Sequence, residues 1–104
     1  MKNKSIFLKV HPPVRGSQII ALCDSELLGK KFETASLVLD LEKYRRFYDG
    51  DECSEDTVIA ALDGCVNVNA VGERSVSIAC KALKVEKSAA KKIGGVPHLQ
   101  IYRI

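Results

Sequence analysis

The sequence predicts a small single domain of the α+β class with a mixed sheet, spanning residues 1–104. Alternating apolar residues near the N-terminus indicate strands that pair as a hairpin or meander. Helical periodicity is confined to the second half, where each of two helices is followed by a further strand. Strands separated by helices need crossover connections, so we expect parallel and antiparallel pairs in one sheet.

The N-terminal half is predicted to open with a β-hairpin. Residues 5–10 alternate as one strand, His11-Pro12-Pro13 is expected to end it, and residues 18–23 form the second strand. A connector with a short helical turn follows over residues 24–32. Residues 36–41 alternate as a third strand, whose partner the sequence does not identify. Residues 42–48 fit either a strand continuation or a helical turn, and residues 49–51 fit a turn.

The C-terminal half is predicted as helix, strand, helix, strand. Ser54 is a good N-cap for a helix that ends near Asp63, with Gly64 just beyond it, and residues 65–68 fit a short buried strand. Residues 73–83 form the clearest helix, because their apolar residues recur at helical spacing. Residues 86–92 are expected to add one or two helical turns, and residues 96–102 a final strand.

The composition is that of an ordinary globular protein. Hydrophobic residues make up 46% and charged residues 28% of the chain, which argues against disorder. The longest apolar runs have about five residues, against the roughly 20 that a membrane helix needs. The N-terminus lacks the apolar segment of a signal peptide. We therefore expect a cytoplasmic protein without a membrane association.

The cysteines are expected to be reduced and buried, because they lie in apolar patterns without the close pairs of a zinc site. They are Cys23, Cys53, Cys65 and Cys80. A zinc ion would require three or four of these residues, His11 and His98 to meet. No Walker loop, dinucleotide fingerprint or nucleophile elbow is present, and the sequence predicts no cofactor.

Charge is distributed unevenly along the chain. Residues 1–39 carry six basic and three acidic side chains, residues 40–72 carry three and eight, and residues 73–104 carry seven and two. A basic C-terminal third beside an acidic middle suggests an oriented dipole whose basic end faces an anionic partner. A solvated surface of mixed sign explains the counts equally well.

Three segments in order resemble a known family. They are CDSELLGKKFE (residues 23–33), VNAVGERSV (residues 68–76) and IGGVPHLQ (residues 93–100). Together they are similar to the archaeal domain-of-unknown-function family 424. The resemblance implies a small cytoplasmic archaeal protein with no established enzymatic activity and a role near RNA or translation.

Gly72 and Arg74 suggest an anion site. Amides exposed at a helix start point at a phosphate, glycine lets it approach, and arginine adds a charged fork. The plainer alternative is a helix entry in which Arg74 pairs with an acid of the middle segment. Gly94-Gly95 could likewise form a loop that grips a ligand, or a turn that needs positive φ. His98 is more typical of a half-buried, hydrogen-bonded strand residue than of a general base.

These residues lead to two functional hypotheses. The first is a non-enzymatic module that binds RNA or a ribonucleoprotein such as the ribosome. The second is a small hydrolase or transferase that holds a phosphate substrate with Gly72 and Arg74 and uses His98 as acid or base. The first uses Gly72, Arg74, Lys81, Lys84, Lys91, Lys92, Gly94, Gly95, His98 and Arg103, with Arg45 and Arg46 as a second contact.

Two further features bear on partners. Basic and aromatic residues interleave over residues 43–48 (KYRRFY), as they do where single-stranded nucleic acids bind, although a corner of the core would look the same. Pro97 favours an edge or a strand start for the terminal strand. An exposed edge there would let the protein dock onto a protein partner or self-associate.

Overall fold

The structure, a computed structural model, describes residues 5–14, 17–65 and 67–102. Its strands are β1 (Ile6–Val14), β2 (Ser17–Asp24), β3 (Lys31–Glu33), β4 (Val38–Asp40), β5 (Asp51–Cys53), β6 (Asn67–Val71), β7 (Lys91–Ile93) and β8 (Val96–Tyr102). Its helices are α1 (Arg45–Tyr48), α2 (Glu55–Leu62) and α3 (Glu73–Leu83), with 3₁₀ turns at Ser25–Leu27 and Lys87–Ala89.

One mixed sheet organises the domain. Its strand order is β5-β1-β2-β6-β8-β7, and β3 and β4 form a separate two-stranded sheet. The pairs are antiparallel except for β2 and β6, which run parallel. The predicted α+β class, mixed sheet and N-terminal hairpin are therefore confirmed. The parallel pair requires the long excursion between β2 and β6, which places structure on both faces of the sheet.

Each face of the sheet is covered by a different layer. On the face that we call the helix face, α2 and α3 bury Leu22, Val68 and Leu99 in the larger hydrophobic cluster. On the opposite face, α1 and the β3–β4 hairpin cover a smaller cluster that includes Val71 and Val96. Because side chains alternate along a strand, consecutive residues within β6, and likewise within β8, belong to opposite faces.

The prolines do not end the first strand as predicted. β1 continues through Pro12 and Pro13 to Val14, with a shift in its register against β2 between His11 and Val14. On its other side, β5 pairs with β1 only from Ile6 to Leu8. The prolines thus lie beyond the stretch that is paired on both sides, where a missing amide donor is tolerated.

Other boundaries differ where tertiary pairing decides the structure. β6 begins at Asn67 rather than at residue 65, and residues 91–93 form strand β7 where a helical turn was expected. Residues 51–53, partly assigned to a turn, form β5. The partner of the third predicted strand is β3. By contrast, α3 has the predicted bounds, and the Oγ of Ser54 caps α2 by accepting the N–H of Thr57.

A buried carboxylate joins β2 to α3. Asp24 ends β2 with only 2% of its surface exposed. Its Oδ1 accepts the N–H and the hydroxyl of Ser75 at 2.8 and 2.7 Å, and its Oδ2 accepts the N–H of Arg74 at 3.1 Å. These are amides of the first turn of α3, which have no partner within the helix. Asp24 is therefore the N-terminal cap of a helix that starts far away in the sequence.

Gly72 makes room for this carboxylate. It precedes α3 with φ of 106°, and a Cβ at this position would overlap the Asp24 side chain. Both the backbone conformation and the close approach favour glycine.

Replacing Asp24 with alanine should lower the free energy of unfolding by about 3 kcal/mol, because it leaves the amides of Arg74 and Ser75 and the Ser75 hydroxyl without their acceptor. Asp24→Asn retains one acceptor oxygen and should cost about half as much. Urea unfolding monitored by circular dichroism measures both. Equal stabilities for wild type and Asp24→Ala would contradict the capping role.

Replacing Gly72 with alanine should destabilise the domain more than replacing Gly64. Both glycines have positive φ, 106° and 74°, but a Cβ at Gly64 meets no atom within 4 Å. Gly64→Ala should therefore cost about 1 kcal/mol of backbone strain, and Gly72→Ala at least about 2 kcal/mol more. Thermal unfolding of the two variants measures the difference, and equal costs would show that the contact with Asp24 is unimportant.

Candidate nucleic-acid interface

The helix start at Gly72 and Arg74 is occupied by the protein's own carboxylates. The amides that were expected to receive an external anion are bonded to Asp24. The Arg74 guanidinium donates to both Glu26 carboxylate oxygens, at 2.9 and 2.5 Å, and to the Ser5 carbonyl at 3.1 Å. Hydrogen bonding to Glu26 raises the pKa of Arg74. The predicted phosphate site is therefore filled from within, and the acids that pair with Arg74 come from the N-terminal segment rather than the middle one.

Gly94 and Gly95 form a tight hairpin turn between β7 and β8. Both have positive φ, 58° and 84°, and Ile93 pairs directly with Val96. A two-residue hairpin loop of this geometry strongly prefers glycine at both positions. Gly94 also lies against the backbone of Glu33, where a Cβ would come within 2.9 Å of its nitrogen. The pair thus forms a structural turn, which is the plainer of the two interpretations.

His98 lies on the face opposite to α3. It pairs in register with Val71, and both side chains project away from the helix face. Its Nε2 donates to Asn69 Oδ1 at 2.9 Å, and the Tyr48 hydroxyl donates to the same oxygen at 2.7 Å. Burial lowers the pKa of His98 and raises that of Tyr48. Burial therefore favours the neutral imidazole, and the bond to the Asn69 oxygen requires the proton of that form to lie on Nε2.

The residues of the hydrolase hypothesis do not converge. The Arg74 side chain lines a cavity with Ile6 and Ile78 of the helix face, while His98 contacts Asn69 on the other face. The sheet lies between the guanidinium and the imidazole, because alternation along β8 sends His98 and Leu99 to opposite sides. A phosphate held at α3 would be out of reach of the imidazole.

The cysteines do not form a metal centre. All four are free thiols: Cys23 and Cys80 are buried, and Cys53 and Cys65 are half-buried. Burial raises the pKa of the Cys23 thiol to about 12, which disfavours a thiolate nucleophile. Within residues 5–14, 17–65 and 67–102, no three His, Cys, Asp or Glu side chains are grouped to hold a metal ion. The grouping that the zinc alternative requires is thus not formed there.

The basic residues of the candidate surface are exposed but divide between the two sides of the domain. Lys81 and Lys84 lie on or directly after α3, and Lys92 lines a cavity with residues of that helix. On the other side, Lys91 pairs with His98, and Arg45 and Arg46 lie in α1. In the part of the chain that the structure describes, none of these six has a carboxylate within ion-pair distance. Arg103 lies outside the described residues.

Opposite edges of the sheet carry opposite charges. β5 ends the sheet on one side with Asp51 and Glu52, and β7 ends it on the other with Lys91 and Lys92. The acidic and basic segments of the sequence thus become an acidic and a basic edge, as an oriented dipole requires.

A groove crosses the sheet face that carries His98. Two adjoining cavities of about 340 and 380 Å³ share Phe47, Asn69 and Gln100 as lining residues. Asn67 and Tyr102 line the larger cavity, and Tyr44 and His98 line the smaller one. We call the surface formed by Tyr44, Phe47, Asn67, Asn69, His98, Gln100 and Tyr102 the open sheet face.

The amides of the open sheet face were not among the residues predicted from the sequence. Asn67 and Asn69 alternate with buried residues in β6, as His98, Gln100 and Tyr102 do in β8. Polar residues at period two on paired strands indicate a face that is not sealed by the core. That signal was obscured in β6, because the strand was predicted to begin at residue 65, two residues before its first residue, Asn67.

The terminal strand is only partly at an edge. Pro97 lies near the start of β8, as predicted, and its carbonyl accepts the N–H of Gly72 at 2.9 Å. β7 covers one side of β8 only from Val96 to His98. Within residues 67–102 no strand pairs with that side of residues 99–102, and the Tyr102 side chain is 62% exposed.

The fold and charge distribution define a small α+β domain with one face covered by α2 and α3, a second face only partly covered by α1 and the β3–β4 hairpin, and a basic edge. The chain belongs to the family described as "Protein of unknown function (DUF424)", whose model matches residues 14–104. It is also similar to the crystal structure of an uncharacterized conserved protein from Methanopyrus kandleri, with 27% identity and a TM-score of 0.76 over 94% of this chain and 90% of that one. No curated protein shows significant similarity to it.

Among the described residues, no helix has the length and apolar character needed to cross a membrane.

Protonating His98 should destabilise the fold. Its pKa is lowered in the folded protein, so the unfolded chain binds the proton more readily, and stability should fall as the pH drops below about 6.5 toward the folded value. His98→Gln retains a donor for Asn69 but does not titrate. The difference in unfolding free energy between wild type and His98→Gln should therefore shift against the wild type between about pH 7.5 and pH 5. Parallel curves would contradict the inference.

Proposed function

We propose that the protein is a non-enzymatic RNA-binding module of an archaeal cytoplasm, acting on RNA or a ribonucleoprotein through its basic edge. The separation of charge across the sheet carries this proposal. Lysines on β7 and around α3 are exposed and free of carboxylate partners in the described chain, while acidic side chains lie at the far edge. A polyanion approaching such a dipole is oriented toward the β7 side.

The chemistry of these cations suits a phosphate backbone. Lys81, Lys84 and Lys92 are hydrated point charges on flexible stems, which contact phosphates without a fixed geometry. In contrast, Arg74, the residue with a rigid fork near this surface, is committed to Glu26. The resulting affinity should depend strongly on salt, because each phosphate contact releases counterions.

Two adjacent lysine pairs provide a matched test. Lys91 and Lys92 begin β7, while Lys30 and Lys31 lie at the start of β3, where Lys31 pairs with Glu33 at 3.2 Å. Replacing Lys91 and Lys92 with glutamine should weaken RNA binding about tenfold at low salt and reduce the salt slope by about two. The same change at Lys30 and Lys31 should have an effect of at most about twofold.

Fluorescence anisotropy with labelled transfer and ribosomal RNA fragments measures both affinities, with circular dichroism to show that the variants are folded. Two results would refute the proposal. One is an absence of binding by the wild type at low salt. The other is an equal loss in both double variants, because they change net charge identically and only nonspecific attraction would treat them alike.

A further inference from the structure

We propose that the open sheet face binds the bases of single-stranded RNA, with two or three nucleotides lying in the groove. This inference rests on the RNA binding proposed above and adds a site and a ligand class to it. The basic edge alone would hold any polyanion, whether single- or double-stranded. The open sheet face has a different chemistry, which suits base edges and base rings.

The floor of the groove is built from amides. Asn69 lies opposite Gln100 in the β6–β8 ladder, and Asn67 lies opposite Tyr102. All four side chains project from the same face, because directly paired residues of an antiparallel ladder share a side. Carboxamides offer both donors and acceptors, which is what the hydrogen-bonding edge of a splayed-out base requires.

Asn69 is held in place by its neighbours. Its Oδ1 accepts from both His98 and Tyr48, which leaves its amino group as the donor for another partner. Since His98 keeps its proton on Nε2, its Nδ1 is an acceptor. Asn69, the central amide of the floor, is therefore preorganised by part-buried hydrogen bonds and is not a mobile surface side chain.

The walls of the groove are aromatic. Tyr44 and Tyr102 are 56% and 62% exposed, which is unusual for large rings on a domain with so few aromatics. Phe47 is fixed between them by stacking on His11 at 4.4 Å and by an edge contact with Tyr48 at 5.0 Å. Exposed rings above an amide floor are the arrangement on which unpaired bases stack.

Cations flank the groove on both sides. Arg45 and Arg46 lie in α1 beside Tyr44, and Lys91 lies across from His98 on β7. Asp40 also lines the groove, but its Oδ1 accepts the backbone N–H groups of Glu42 and Lys43. Phosphates can thus follow the rims while bases enter between them. A duplex cannot use this site, because its base edges are paired and the RNA major groove is too narrow for side chains.

The test compares single-stranded oligonucleotides with a duplex of the same length, by anisotropy at fixed salt. Tyr44→Ala and Tyr102→Ala should each weaken single-strand binding about tenfold and leave duplex binding unchanged. Tyr44→Phe and Tyr102→Phe retain the ring and should restore most of the affinity. Leu37→Ala is the matched control, because Leu37 is an exposed apolar residue, at 42%, that does not line the groove.

The outcomes separate this inference from the proposed function. If the alanine variants bind single strands as the wild type does, while the Lys91/Lys92 variant binds less, the base site is excluded and RNA binding stands. If the wild type binds no RNA, both are excluded. Should an alanine variant unfold, NMR chemical-shift changes of the wild-type amides on addition of a trinucleotide replace the mutational test. Changes at Asn69 and Gln100 support the site, and changes confined to other residues overturn it.

Discussion

The Asp24 carboxylate is the contact on which the arrangement of the domain depends. It ends β2, caps α3 through Arg74 and Ser75, and lies against Gly72, so it fixes the main helix relative to the central parallel strand pair. The same carboxylate contributes to neutralising Arg74, with Glu26. A buried charge is tolerated here because every interaction that it loses with water is replaced by an amide, a hydroxyl or a guanidinium.

This contact also decides which face of the sheet is left partly open. With α3 fixed on the helix face, Val68, Ala70 and Leu99 are sealed beneath it. Strand alternation then sends Asn69 and Gln100 to the other face, where α1 and the β3–β4 hairpin cover only part of the surface. An amphipathic sheet of this kind exposes polar residues without weakening its core.

The sequence predicted elements whose signals are local. The α3 helix followed from its periodicity, and the glycine turn at residues 94–95 from its need for positive φ, because neither depends on a distant partner. The three-residue strands β3, β5 and β7 have too few residues for a period and form only where a neighbour pairs with them. Two interpretations of Gly72 and Arg74 stayed open for a related reason: the sequence indicates a helix start that attracts an anion, but not that Asp24, about 50 residues away, supplies the carboxylate. Of the candidate residues, His98 lines the groove, whereas Arg45 and Arg46 lie in α1 and Lys91 pairs with His98 in β7. The amides that line the groove were not predicted.

Charged side chains and uncharged polar side chains occupy different parts of the surface, and their chemistry suits different parts of the proposed ligand. Lysine ammonium groups are strongly hydrated and lose affinity when they are desolvated, so they are suited to phosphates at a solvated rim. Amides and aromatic rings keep their interactions in a partly enclosed groove, where bases replace the water that they would otherwise contact. In this domain the lysines of the proposed RNA surface lie on β7 and on or directly after α3. The amides lie on β6 and β8, and the rings belong to β8 and to α1 with its N-cap. Interchanging the two sets would place hydrated charges in the groove and leave the phosphates without counterions. The proposed ligand, a single nucleic-acid strand, carries its charge along the backbone and its planar groups at the side, which is why we assign its phosphates to the rim and its bases to the groove.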